Sequence, residues 1–462
     1  MNTIVKTVKQ HSYELEKETL KELLFIGNQF KNVKNYVYSR YSGINSIPLL
    51  SKPREIRDEW VKSSFANQWK LPARYWKLAL SEAISNIKAE WSNIKRRIKE
   101  QCKANYNLAK IDKHYINYIL KSNELYHRIL THEEYDIPSK FKDVDLNFKY
   151  LNNLIRRYTR KYKGKIPYSY KSTTFSVDIG LYSYRDDGIN ITCTKKGKRL
   201  PIKLTDSKKY DRTLIIKVVE NRIEVHIPLN IRAKYHKDYE NIIGIDKGYK
   251  YLFAVSSGKF YGENLNDYLG KETERLNEIN GKRNRFYALY NRHLEQGNVK
   301  KANSILQNNL GRVKYDHNKL KHNETVKSYI NHSLNKLIDK EKPKEIVMEH
   351  LDFVNWSGKY PESVKRKLSR WIKGYIRERL EYKCNYNNIK YTYINPAYTS
   401  KVCNKCSSFG IRKGDIFTCP KCGEIHADIN ASVNILDRKD DKEISLYTNY
   451  RIAKKILEGR AI

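Results

Sequence analysis

The chain has 462 residues, too many for one small core, and its length predicts two to four domains. Lys plus Arg number 90 against 51 Asp plus Glu, a formal net charge of +39. A chain so charged repels itself unless a polyanion binds, and its 37 tyrosines and 6 tryptophans, interleaved with the cations, suit stacking on bases. No apolar run approaches the length that spans a bilayer, and the N-terminal stretch MNTIVKTVKQHSYELEKE lacks the apolar core of a signal peptide. The pattern predicts a nucleic-acid-binding protein of the cytoplasm with no membrane partner.

Residues 2–9 alternate briefly through Ile4 and Val8 and predict a strand. From 15 to 40 the period is helical, through Leu20, Leu23, Leu24, Phe30, Val33 and Val37. The clearest helix follows a loop with two prolines. Trp76, Leu80, Ala83, Ile84, Ile87, Trp91, Ile94 and Ile98 recur at intervals of three and four, which makes one apolar face. Lys88, Lys95, Arg96, Arg97 and Lys99 lie nearby, either as a solvated face or as phosphate contacts. Helical sequence continues to the basic segment Arg156-Arg157-Tyr158-Thr159-Arg160-Lys161-Tyr162-Lys163.

At Gly164 the period changes. Short alternating runs at 174–179, 189–194, 200–204, 213–219 and 222–227, with turns at Asp187-Gly188 and Lys196-Gly197, predict a small barrel-like β domain that the N-terminal strand joins. Asn241 to Asp246 is an apolar strand ending on a carboxylate, with a hairpin behind it at 251–261. Residues 271–340 read as two long basic helices broken near Gly297. Glu345 to Glu349 is a second buried strand ending on a carboxylate. A helix at 368–386, a strand at 389–394 and a charged C-terminal tail complete the chain.

Two knuckles, Cys403-x-x-Cys406 and Cys419-x-x-Cys422, stand twelve residues apart. The spacing lets both thiolates of a knuckle reach one ion, and four thiolates with no open position make a closed structural site for one Zn²⁺. The other three cysteines, Cys102, Cys193 and Cys384, are scattered, as in a reducing compartment. Just beyond the second knuckle Asp428 begins a helix whose apolar positions include Ala431, Ile435 and Leu436. A lone carboxylate there serves equally as a helix-terminal residue. Asp246, Glu349 and Asp428 together say more. If the two strands pair and the helix packs on them, three acids meet at one sheet edge and require cations, and two Mg²⁺ ions suit phosphodiester hydrolysis.

Taken together, GID at 244–246, IVMEHLDF at 346–353, LSRWIKGYIRERLEYKC at 368–384, NPAYTSKVCNKC at 395–406 and CPKCGEIHADINASVNIL at 419–436 resemble the RuvC nuclease core of TnpB proteins. These are transposon-encoded, RNA-guided nucleases, and miniature type V CRISPR effectors share the core. The resemblance covers about 240–437; the N-terminal half resembles the family only in order and composition. It implies a multidomain α+β protein with a helical recognition lobe, a small β-barrel wedge domain and an RNase H-like (RuvC) α/β nuclease domain with an inserted zinc ribbon. The implied boundaries are 1–14 for the first wedge strand, 15–163 for the recognition domain and 164–236 for the wedge barrel. RuvC follows at 237–395 with a helical insertion at 265–340, then the target-nucleic-acid-binding ribbon at 396–424, the last RuvC helix at 425–437 and the tail at 438–462.

Carried over, Asp246, Glu349 and Asp428 match the catalytic, Mg²⁺-binding triad, and Cys403, Cys406, Cys419 and Cys422 match the zinc ligands. Arg96, Arg97, Arg156, Arg157, Lys195, Lys196, Arg370, Trp371 and Lys373 are candidate nucleic-acid contacts. Three departures blur the subfamily. Lys247 stands where an apolar residue commonly follows the first Asp, His426-Ala427 replaces an Asp-Arg, and Ser407 replaces a glycine after the first knuckle. The implied partners are a guide RNA, of transposon or CRISPR origin, and a target double-stranded DNA. The implied activity is Mg²⁺-dependent DNA cleavage, with the adjacent motif read by protein and the rest of the target by base pairing. A guided DNA-binding repressor without cleavage is the alternative. A transposase acting alone is a third reading, disfavoured by the Asp, Glu, Asp order and the absent helix-turn-helix signature.

Overall fold

The computed structural model describes residues 3–460 other than 104, 106, 171, 249 and 351–373. The chain divides into two compact units, Val5–Ile231 and a second made of Met1–Ile4 with Arg232–Ile462.

The first unit holds strand β1 (Thr3–His11), helices α1 (Lys17–Tyr41), α2 (Pro53–Lys62), α3 (Ala73–Lys103), α4 (Lys110–Lys121), α5 (Asn123–Thr131) and α6 (Phe148–Tyr162), then strands β2 (Thr174–Val177), β3 (Tyr182–Tyr184), β4 (Gly188–Thr192), β5 (Arg199–Lys203), β6 (Leu214–Val219) and β7 (Arg222–Arg232). Helix α3 is its spine. All eight apolar residues of its stripe, Trp76 through Ile98, are buried, and α1, α4 and α6 pack against it. At its N-terminal end the Trp60 ring lies 5.2 Å from Trp69 and 5.9 Å from Trp76, centroid to centroid. Strands β6 and β7 alternate as half-buried strands must. Leu214, Ile216, Val218, Ile223, Val225 and Ile227 point inward.

No closed barrel forms from these strands. They make two sheets, ordered β1-β7-β6-β2 and β3-β4-β5, that meet through a single bridge between Ser12 and Leu204. Closure needs strands long enough to carry a ladder around the tilt of a barrel. Strands β3, β4 and β5 have only three, five and five residues. The expected wedge barrel is therefore corrected to a pair of open sheets.

In the second unit β8 (Asn241–Asp246), β9 (Phe253–Val255) and β10 (Phe260–Tyr261) precede α7 (Leu265–Glu295), α8 (Val299–Asn308) and α9 (Val313–Glu341). After them come β11 (Pro343–Glu349), α10 (Tyr375–Tyr386), β12 (Lys390–Ile394), β13 (Ile411–Lys413), β14 (Ile416–Cys419), β15 (Gly423–His426), α11 (Ala427–Asp437) and α12 (Tyr450–Arg460). Where two helices were expected across 271–340 there are three. The chain breaks near Gly297, whose φ of 72° is left-handed, and again at 309–312.

The central sheet runs β10-β9-β8-β11-β12, with β8, β11 and β12 parallel, β9 antiparallel to β8 and β10 antiparallel to β9, the order of an RNase H-like sheet. Both faces are covered, as a parallel core requires. Ile243, Ile245, Ile346 and Met348 face Leu334 and Leu337 of α9 and Leu380 and Cys384 of α10. Val347 and Ile394 face Ile435 of α11. Residues 438–460, part of the stretch read from sequence as a tail, fold back. Ala453 and Leu457 of α12 bury against Ala397 and Val402, and Arg460 forks onto Asp441 at 2.7 and 2.9 Å.

Helix α11 touches the backbone of β8 at Gly244. A Cβ placed there would lie 2.2 Å from the Ser432 carbonyl oxygen and 2.8 Å from the Leu436 nitrogen. Gly244→Val should therefore lift the helix from the sheet and cost on the order of 3 kcal/mol or more, beyond ordinary overpacking because the clash is with backbone. Chemical denaturation of the purified variant measures this, and an unchanged midpoint would contradict the packing.

Candidate carboxylate and cysteine centres

Strand register assembles the acids. Strands β8 and β11 are parallel with Ile245 opposite Met348, so the next residues, Asp246 and Glu349, end their strands side by side, about 4.8 Å apart in the sheet. Side chains alternate along a strand. Gly244 faces α11, so Asp246 does too, and Val347 and Glu349 share that face. Asp428 sits in the first turn of α11, where the partial positive charge of the helix N-terminus favours a carboxylate. The N-cap is His426, whose Nδ1 accepts from the Asp428 N–H at 3.3 Å while its ring packs on Phe260. Asp428 is buried, and one of its oxygens lies 3.8 Å from the Cβ position of Gly248, which follows β8.

The cluster is electrostatically strained. Burial first, then the charges of Glu349 and Asp428, push the Asp246 carboxyl up to about 7, against a lowering by Arg412. Burial also raises Glu349, opposed by a hydrogen bond from the Thr399 hydroxyl and by the charge of Lys247. Arg412, on β13, donates from Nη2 to Asp428 Oδ1 at 2.6 Å. Arg412, Lys247 and Arg438 thus set positive charge beside three acids. Sequence reading noted Lys247 only as a departure and missed Arg412 and Thr399, since no local period marks a residue that reaches the site from a ribbon hairpin or a loop.

The cysteines converge in a different way. All four sulfurs lie within 4.8 Å of one another, with Cys406 and Cys419 Sγ 3.5 Å apart. Tetrahedral Zn–S bonds of about 2.3 Å place sulfurs at similar separations, so the donor set fits a structural zinc. Each knuckle is followed by a left-handed residue, Ser407 at φ 58° and Gly423 at φ 79°. Ser407 adopts the turn that glycine takes freely. Among the described residues these four cysteines form the one cluster of metal-ligating side chains this tight.

Six of the nine candidate nucleic-acid contacts lie in the first unit. Arg96 pairs with Glu100 at 2.6 Å, and Arg97 lies over the Tyr162 ring. Arg156 donates to the Ile129 carbonyl and to Asn153, a structural role. Arg157 stacks on Tyr158, and Lys195 and Lys196 are exposed at the β4–β5 turn. Arg370, Trp371 and Lys373 lie outside the described residues. Among the described residues no helix is long and apolar enough to cross a membrane.

The family model of the Cas12f1-like TNB domain matches residues 374–435, the stretch that runs from α10 through the cysteines into α11. The CRISPR-associated endodeoxyribonuclease Cas12f1 of Sulfoacidibacillus thermotolerans is 38% identical over 84 residues, 17% of this chain and 20% of that protein. A TnpB-like protein of Aquifex aeolicus is 30% identical over 95 residues, 19% of this chain and 31% of its own length. Over part of its length this chain is similar to Cas12f1 and to TnpB-like proteins. A second TnpB-like protein, from Methanocaldococcus jannaschii, is 27% identical over 122 residues, 25% of this chain and 44% of its own. The matched segments thus span less than half of each of these relatives. A cryo-EM complex of Cas12f1 with sgRNA and target DNA aligns over 96% of the chain and all of its counterpart, at 13% identity and a TM-score of 0.37.

Two measurements test these centres. Elemental analysis of purified protein should find about one zinc per chain, and Cys419→Ser should lose it together with stability; iron, or full stability without metal, would contradict the closed-site geometry. The second concerns pH. An acid whose folded pKa lies above its unfolded value of about 3.9 weakens the fold as pH rises between the two. With zinc in place and no added Mg²⁺ or Mn²⁺, the cluster's contribution to stability should therefore fall from about pH 4 to about pH 7 and stay low above it. Asp246→Asn should flatten that fall and melt higher than wild type at pH 8.

Proposed function

We propose that this chain is an RNA-guided DNA endonuclease of the cytoplasm, acting on nucleoid DNA through a RuvC-type centre. The observation that carries the reading is the pairing of Asp246 with Glu349 at the ends of adjacent parallel strands, with Asp428 on the helix that covers them, inside a TnpB-like chain. Its partners are a guide RNA, drawn from a transposon end or a CRISPR array, and a target double-stranded DNA.

The donor set fits Mg²⁺. Three carboxylates, one of them raised to about 7 by burial and by repulsion from the other two, are hard oxygen ligands suited to a divalent cation. Two bound Mg²⁺ ions would supply an activated water and stabilise the departing 3′-oxygen of a phosphodiester. Asp246 and Glu349 would hold the ions from the sheet, and Asp428 from the helix. Arg412 would exchange its carboxylate partner for a phosphate oxygen of the substrate, since a guanidinium serves either anion. The charge of +39 would hold guide and target backbones, with Arg96, Arg97, Arg157, Lys195 and Lys196 as first-unit candidates. Base pairing would read the target, and the protein a short adjacent motif.

The test separates binding from cutting. With the copurifying RNA sequenced and its matched target supplied, Asp246→Ala should bind target within a few-fold of wild type, since those contacts are phosphates and base pairs. Cleavage in Mg²⁺ should fall on the order of 100-fold or more. Gel shift and cleavage on one preparation decide it. Near wild-type cutting by Asp246→Ala would sink the RuvC reading, and target binding by wild type without cutting under any guide and divalent ion would favour the guided repressor.

A further inference from the structure

The loop that leads into the first knuckle is pinned with unusual completeness. Asn395 donates to the carbonyls of Ser445 and Thr448 at 3.0 and 2.9 Å, and its oxygen accepts from the Ala397 N–H at 2.9 Å. The buried Arg438 guanidinium, at the end of α11, reaches the Ala397 carbonyl at 3.1 Å. Two buried asparagines one turn apart on α11 hold the rest. Asn434 donates to the carbonyls of Thr399 and Val402, both at 2.8 Å. Asn430 donates to the same Val402 carbonyl at 2.8 Å and accepts from the Asn404 N–H, inside the Cys403–Cys406 knuckle, at 2.9 Å.

These bonds place one hydroxyl. Thr399 is 1% exposed, and its Oγ1 donates to Glu349 Oε1. Its backbone is held by the helix that carries Asp428, while its side chain holds the acid on β11. We propose that Thr399 is a positioning residue that fixes the Glu349 carboxylate for divalent-cation binding, and that Asn430 and Asn434 transmit the position of α11 and the first cysteine knuckle to it. The inference rests on the carboxylate cluster being a cation site. A ligating carboxylate left to rotate freely binds metal less well, and hydrogen-bond partners of ligands commonly account for 10- to 100-fold in affinity. Threonine suits the task because its β-branched side chain has few rotamers in a packed loop.

The readout is Mn²⁺ affinity, from the free-ion EPR signal during titration of the full chain, with zinc content and melting temperature recorded alongside. Thr399→Val keeps the shape and removes the donor; it should weaken Mn²⁺ binding about 10-fold with zinc unchanged. Thr399→Ser restores the donor and should bind within about 2-fold of wild type. Asp246→Ala is the control for the site itself. If it binds Mn²⁺ as wild type does, the cation-site reading fails and takes the inference with it. If it loses Mn²⁺ while Thr399→Val binds normally, the inference alone is overturned. Thr399→Ala runs in parallel and decides the matter should the valine fail to fold. Loss of folding in both, with the serine variant folded and zinc-loaded, would assign Thr399 a purely structural role instead.

Discussion

The second unit depends on one close contact, that of α11 with the backbone of β8 at Gly244. A helix normally stands about 10 Å from a sheet because side chains separate them. Here the missing side chain lets the helix descend until Ser432 and Leu436 touch the strand. The descent brings the first turn of α11, and Asp428 with it, over the ends of β8 and β11. A larger residue at 244 would leave the sheet intact and still separate the third acid from the other two. The same contact seals the second face of the parallel core, where Ile435 meets Val347 and Ile394.

That geometry is costly in itself. Three acids meet in a buried corner of a chain whose surface is overwhelmingly cationic. The corner is tolerated because Arg412 and Lys247 approach it and because helix α11 turns its N-terminus toward Asp428. A fold selected for stability alone would replace such a cluster with neutral side chains. The cysteine ribbon joins this corner physically. Strand β15 runs directly into α11, and the asparagines of α11 grip the opposite knuckle. The ribbon and Asp428 are thus joined through one continuous strand and helix.

In the first unit much of the charge is engaged internally. Lys163 lies over Trp91 and pairs with Glu90 at 2.7 Å, and Arg97 and Lys161 both approach the Tyr162 ring. Lys95, over Tyr126, is depressed to about 8 by burial. Cations beside aromatics therefore serve helix packing here as well as any partner, which composition does not distinguish. The stripe of α3 and the alternation of β6 and β7 stand plainly in the sequence, because each is a repeat between residues a few positions apart.

Elsewhere the sequence by itself determines what consecutive residues can encode. Spacing alone makes Cys403, Cys406, Cys419 and Cys422 a closed thiolate set, and apolar runs that stop on an acid mark Asp246 and Glu349 as strand ends. Long-range contact decided the rest. The strands at 174–232 alternate like those of a barrel, yet they remain open because closure depends on ladders between strands too short to extend them. The charged tail contains a helix whose few apolar residues find Ala397 and Val402 only after the chain has folded back. Arg412, Thr399, Asn430 and Asn434 carry no periodic signal. Each acquires its role from a hydrogen-bond partner between 16 and 50 residues away, or from a backbone group across a helix–loop interface. Periodicity records which face of an element is buried; only the register of strands and the depth of helix packing determine which polar groups then lie within 3 Å of one another.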